Sequence, residues 1–144
     1  MKTEYSYPLT IEQDTAGFYL VTFPDVPEAG SDAETEVEVL AGALDSLIAA
    51  LGGYINQRRD IPKPSPAKRG QKVIALPSLA AAKLVLYQAL CETGMTNVEL
   101  GRLLGVSETA VRHLLDLDHR SPIGQVEAAL EILGRRLVVT VEAA

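Results

Sequence analysis

Tryptophan is absent from the 144 residues, and cysteine occurs once, at Cys91. A single thiol excludes any disulfide within the chain, which suits a reducing compartment. Cys91 lies in an apolar helical run and reads as a small buried hydrophobe rather than a reactive thiol. Aromatics make up only 5% of the residues, so the core must be built from Leu, Val, Ile and Ala. There are two histidines, His113 and His119, and no Ser or Cys is obviously paired with either. Nucleophilic catalysis therefore lacks a paired nucleophile and base. No run approaches the ~18 apolar residues of a membrane span. The opening MKTEYSYP lacks the apolar core of a signal peptide. These absences predict a soluble, cytoplasmic protein without a membrane partner. Neither a metal-ligand spacing nor a glycine-rich phosphate cradle is present, so no cofactor and no metal are expected.

Positive charge is missing from a long stretch. Between Lys2 and Arg58 there is no Lys, Arg or His, while Glu4, Glu12, Asp14, Asp25, Glu28, Asp32, Glu34, Glu36, Glu38 and Asp45 fall in the same span. Residues 1–76 carry 7 basic and 11 acidic side chains, and residues 77–144 carry 6 and 8, within a total net charge of −6. The first half should repel nucleic acid and attract a basic partner; the plainer alternative is a solvated acidic surface. A nuclease centre would need carboxylates converging on one point with a base to hold phosphate. Here the acids lie in a loop and around a helix turn, and the chain is read as not an enzyme.

What is present divides near Pro77. EYSYPLTIEQ alternates as a strand, DTAG makes a turn, and GFYLVTF reads as a second strand of a hairpin. PDVPEAGSDAET is a loop with room for a third strand. ETEVEVLAGALDSLIAALGGYINQR is a helix with an apolar stripe at Val37, Leu40, Leu44, Leu47, Ile48 and Leu51. RRDIPKPSPAKRG is an extended, basic connector, and QKVIALP returns to the sheet. From Ser78, a plausible N-cap, to about 134 the chain reads as helical. RRLVVTVEAA alternates in β-branched residues and reads as a C-terminal strand.

Residues 95–115, MTNVELGRLLGVSETAVRHLL, place Gly105 at a corner between two short helices. Leu100, Leu104, Val106, Val111 and Leu114 fill the five positions that must be apolar to hold such a pair at a steep angle, and Gly101 fills the one that must be small. In a chain 47% hydrophobic, five chance matches come to about two in a hundred. Ser107 caps the second helix and Thr96 or Asn97 the first. This stretch resembles the helix-turn-helix of phage-repressor-type (XRE/Cro-like) domains, across about residues 78–137, with one departure, Gly101 where Ala is usual, which costs about 1 kcal/mol of helix propensity. The resemblance implies that the second helix enters the major groove. Ser107, Glu108, Thr109, Arg112 and His113 would then reach base edges, Arg112 as the guanine reader. His113 would meet a base or a phosphate, or remain a plain surface imidazole. Arg102 and Arg120 would hold phosphates. With so few basic anchors, one copy binds weakly, which calls for a homodimer or higher oligomer on an inverted repeat.

The first half is similar to the HicB antitoxin family. The matching features are Gly17, Tyr19-x-Val21-x-Phe23, Pro24-Asp25-x-Pro27, Glu34-Thr35 and Ile61-Pro62-x-Pro64-Ser65. Ala33 stands where Gly is usual before the acid–Thr pair, and Glu28 where Gly often follows the proline. The resemblance implies an α+β fold: a small sheet packed on a helix (a partial ribonuclease-H-like domain, residues 1–76), then an all-α helix-turn-helix domain with a C-terminal strand (77–144). It also implies an antitoxin that binds a small basic HicA-type ribonuclease toxin and represses its own operon. The toxin-contacting candidates are Asp25, Glu28, Glu34 and Glu36, with Tyr19 and Phe23 supplying apolar contacts. The competing reading is a one-component transcriptional regulator with a ligand-sensing N-terminal domain.

Overall fold

A computed structural model describes residues 5–143. Glu4 and Ala144, the outer ends of the first and last expected strands, lie outside the described residues. The elements are β1 (Ser6–Gln13), β2 (Tyr19–Thr22), β3 (Gly30–Ala33), α1 (Glu36–Asn56), β4 (Lys72–Ala75), α2 (Ser78–Thr93), α3 (Asn97–Leu104), α4 (Glu108–Leu115) and α5 (Ile123–Ile132). The chain separates into two compact units, divided between Ala81 and Ala82 in the first turns of α2.

In the first unit the strands form one antiparallel sheet in the order β3-β2-β1-β4. The hairpin β1–β2 pairs Ile11 with Val21 and Gln13 with Tyr19. Its turn is fastened by Asp14, whose carboxylate accepts from the amides of Ala16 and Phe18. The loop before the helix does contain a third strand, β3, paired to β2. Helix α1 starts at Glu36 because the Thr35 hydroxyl caps it, accepting from the Glu38 amide at 3.2 Å; such a cap contributes about 1 kcal/mol. The apolar stripe is phased differently from the expected one. Val39, Ala43, Leu47, Leu51, Tyr54 and Ile55 are buried, whereas Val37 is 80% exposed. Val37 lies two positions, roughly 200° around the helix, from the buried Val39 and so faces away from the sheet. Helix α1 is long and apolar enough to cross a membrane, but its buried face packs on β2 and β3, as a core helix does.

The connector after α1 has no regular structure between residues 59 and 68, yet it is fastened at several points. The Tyr7 hydroxyl donates to the Pro62 carbonyl at 2.7 Å, and burial pushes that phenol's pKa well up. Ser65 donates both its amide and its hydroxyl to the Asp25 carboxylate, at 2.8 and 2.7 Å. Ile61 is buried.

The second unit is helical. Its core gathers Leu84, Leu86, Leu90, Leu100, Val111, Val126, Ala129 and Leu130. Three sequence expectations fail here for identifiable reasons. Ser78 is the first helical residue of α2 rather than its cap, because the Pro77 carbonyl already accepts from the Ala81 amide. Cys91 is exposed: the long apolar run makes that face of α2 look buried, but the core lies on the side of Leu86 and Leu90. The C-terminal strand does not form within the chain. Residues 135–143 carry no strand pairing, and Val138, Val139 and Val141 are 68%, 77% and 94% exposed. An isolated strand has nothing to satisfy its amides except water, so alternation alone does not order it.

Candidate functional site

The acidic residues of the first unit are bonded to other parts of that unit more fully than the sequence suggests. Glu28 accepts from the Tyr54 hydroxyl at 2.7 Å and from the Arg59 guanidinium at 3.1 Å. The same guanidinium stacks over the Tyr54 ring, 4.1 Å from its centroid. The Tyr54 hydrogen bond, more than Arg59, holds the Glu28 carboxyl below its ordinary 4.5. Asp25 is occupied by Ser65, and Glu36 forms an ion pair with Lys72. Of the four acids expected to meet a basic partner, only Glu34 is exposed without a hydrogen bond or ion pair among the described residues.

The apolar candidates require correction. Phe23 is 2% exposed and belongs to the core, so it cannot supply contact surface. Tyr19 is half-buried. Residues two apart share a face of a strand. Tyr19 and Phe23 therefore lie on the inward side with the buried Val21, while Phe18 and Leu20, each 38% exposed, lie on the outward side. The aromatic-alternating pattern marks the strand but not which face is covered.

In the second unit α3 and α4 form a pair around Gly105. That residue has φ +73°, a left-handed corner, and its amide bonds back to Arg102 and Gly101. A Cβ on Gly101 would sit 2.8 Å from the Val106 carbonyl oxygen and 3.4 Å from a Val111 methyl, so the small position is required by contact. Thr96 caps α3 and Ser107 caps α4, accepting from Glu99 and Ala110 at 3.1 Å. Leu100, Val111 and Leu114 are buried as expected; Leu104 is half-buried, and Val106 is 43% exposed. Val106 contributes its backbone to the corner more than its side chain to the core.

Ser107, Glu108, Thr109, Arg112, His113, Arg102 and Arg120 are all exposed. Thr109 and Arg112 lie one turn apart, with 3.4 Å between guanidinium and hydroxyl. The His113 ring stacks on that of His119 at 4.3 Å and 9°. Ser107 spends its acceptor on the cap, leaving its hydroxyl hydrogen available.

Lys83, which sequence reasoning passes over, is completely buried. Its ammonium donates to the carbonyls of His113, Asp116 and His119 at 2.9, 2.7 and 2.6 Å. Burial lowers its pKa, while Asp116 and Asp118 oppose the shift. A signal for it exists in the sequence: Lys83 is the only charged residue between Lys72 and Glu92. Among the described residues no three His, Cys, Asp or Glu side chains gather to hold a metal ion.

Residues 6–85 match the family described as HicB_like antitoxin of bacterial toxin-antitoxin system. The chain is 36% identical over 137 residues to Antitoxin HicB 2 of Photorhabdus laumondii, covering 95% of this chain and 96% of that one. It is 38% identical over 141 residues to Antitoxin HicB of Pseudomonas fluorescens, covering 97% and 96%. Among solved structures it is similar to the N-terminal domain of Burkholderia pseudomallei antitoxin HicB, at 19% identity and a TM-score of 0.44, over 50% of this chain and 98% of that one. The class is thus the antitoxin half of a bacterial toxin–antitoxin pair. More narrowly, the chain belongs to the HicB-like antitoxin family, and the ligand-sensing regulator is not the reading these relatives favour.

Proposed function

We propose that this antitoxin neutralises a small basic HicA-type ribonuclease through its first unit and represses its own operon, as a dimer, through its second. The observation that carries the DNA-reading part is the solvent-facing row Thr109, Arg112 and His113 on a helix set by a left-handed glycine corner. A helix in this setting presents its first turns to base edges, and Arg112 suits the two acceptors of guanine. The toxin-binding part is supported by the run without basic residues from 3 to 57, which steers a cationic partner.

Of the four candidate acids, the internal bonding of Asp25, Glu28 and Glu36 leaves Glu34 as the free one, with Phe18 and Leu20 as the apolar contribution. Covering the toxin's RNA-binding surface is sufficient for neutralisation, so the antitoxin needs no catalytic group. The test is co-expression with the product of the adjacent short, basic reading frame. The chain should restore growth and co-purify with that product, and Glu34→Lys should weaken both while the operator is still bound. Full protection by Glu34→Lys together with Phe18→Ser would remove this surface from consideration. A chain that neither co-purifies nor protects would overturn the toxin reading itself.

A further inference from the structure

Helices α3 and α4 end in different ways. Helix α3 closes on a left-handed glycine, and its last carbonyls are satisfied by the backbone of the corner. Helix α4 has no such residue. Its C-cap, Asp116, has φ −84° and ψ 112°, an extended conformation that sends the chain away from the helix axis. The Asp116 amide still reaches back to the His113 carbonyl, at 3.3 Å, and the carbonyls of Asp116 and His119 accept from the amides of His119 and Ser121. Lys83 adds a second donor to the His113 carbonyl within α4 and to the carbonyls of Asp116 and His119 in the segment that follows, tying all three to one nitrogen. Three acceptors around one nitrogen match the three N–H donors of an ammonium. Ser121 adds a hydroxyl to the His113 carbonyl at 3.3 Å and lies 3.2 Å from Nδ1 of His119. The result is that the His119 ring is stacked on His113, and Arg120 follows at once.

Resting on the DNA-reading proposal above, we propose that Lys83 is a positioning residue for operator recognition. By bonding the end of α4 and the loop after it to one buried nitrogen, it fixes the spacing between Arg112 and His113 on the helix and Arg120 on the loop. Base contacts and a phosphate contact can then be made on the same duplex in one register. Core stability alone does not explain a lysine here. Burying an ammonium is costly, and a well-packed apolar residue of similar volume commonly serves a core as well or better. Because Lys83 itself is fully buried, it neutralises no phosphate, and its removal should leave the counterion-driven part of binding in place.

The experiment uses the full chain and two duplexes: one enriched by the wild-type chain from a random-sequence library, and a scrambled duplex of the same composition. The readout is the ratio of the two dissociation constants, measured on Lys83→Met and Lys83→Gln, each first checked by circular dichroism. Lys83→Met should shrink the ratio roughly tenfold or more, the scale of one lost base contact, with the scrambled-duplex affinity changed less than about twofold. Lys83→Gln, which still donates two hydrogen bonds, should fall between Met and wild type. An unchanged ratio in a folded variant overturns the inference. So does an equal loss on both duplexes, since merely structural support lowers both alike. Failure of both variants to fold would assign Lys83 to the core alone and overturn it too. If the wild-type chain enriches no sequence, the DNA-reading proposal fails first, an outcome distinct from the others.

Discussion

Replacing Gly101 with alanine sets two effects of known sign against each other. In an ordinary helix interior the change gains about 1 kcal/mol of helix propensity. At Gly101 the new Cβ would stand 2.8 Å from the Val106 carbonyl oxygen, where ordinary contact begins at 3.4 Å. The obstacle is backbone and cannot rotate aside. It is also tied down, because the Val106 amide bonds to the Gly101 carbonyl at 2.9 Å. The corner must therefore move by several tenths of an ångström, carrying α4 with it. Overpacking of this kind costs about 1–3 kcal/mol, so the net should be a loss of about 0–2 kcal/mol. Gly52→Ala is the control. Gly52 sits inside α1, and a Cβ added there would meet nothing within 4 Å, so the variant should gain roughly 0.5–1 kcal/mol. The two variants should differ by about 0.5–3 kcal/mol in urea unfolding followed by circular dichroism. On the proposed DNA reading, Gly101→Ala should also weaken binding to the enriched duplex, since α4 has shifted. A Gly101→Ala protein stabilised as much as Gly52→Ala would refute the close-approach argument.

Other outcomes follow from the same geometry. Arg112→Ala should cost about 1–3 kcal/mol on the enriched duplex and relax one base preference, while Arg120→Ala should weaken all sequences alike and flatten the salt dependence; competition binding at several salt concentrations separates the two. Because Glu28 is held below its ordinary 4.5, its contribution is present above that pH and is lost as the pH falls through the lowered value. The stability gap between wild type and Tyr54→Phe should therefore narrow as urea unfolding is moved from neutral pH to acid; a constant or widening gap contradicts it. Deleting residues 137–144 should yield monomers and abolish operator binding together if the exposed Val138, Val139 and Val141 pair with a second copy; dimers that persist in sedimentation would rule that pairing out.

The α+β architecture is legible in the sequence because its signals are local. Alternation marks β1 and β2, and Thr35, Thr96, Gly105 and Ser107 occupy caps and a corner whose backbone geometry selects those residue types. What is not legible depends on which face is covered by something distant in sequence. Val37 and Val39 are equally apolar, and only the position of the sheet decides that Val39 is buried and Val37 is not. Phe23 and Phe18 are separated by the same consideration, as is Cys91. The acids of the first unit look like a free patch because their partners are remote in sequence: Ser65 for Asp25, Tyr54 and Arg59 for Glu28, Lys72 for Glu36. Lys83 escapes notice for the same reason, since its three acceptors lie 30 to 36 positions away.

The exposed Cys91 thiol has a practical consequence for anyone counting subunits. A solvent-facing thiol oxidises in air, and two copies that meet can become joined by a disulfide that no reducing cell would retain. Such a covalent pair would run as a dimer and survive dilution. It would also mask the monomer expected after deletion of the C-terminal residues. Oligomeric state should therefore be read in the presence of a reductant or on Cys91→Ser, and agreement between those two samples distinguishes a noncovalent assembly from an oxidation product.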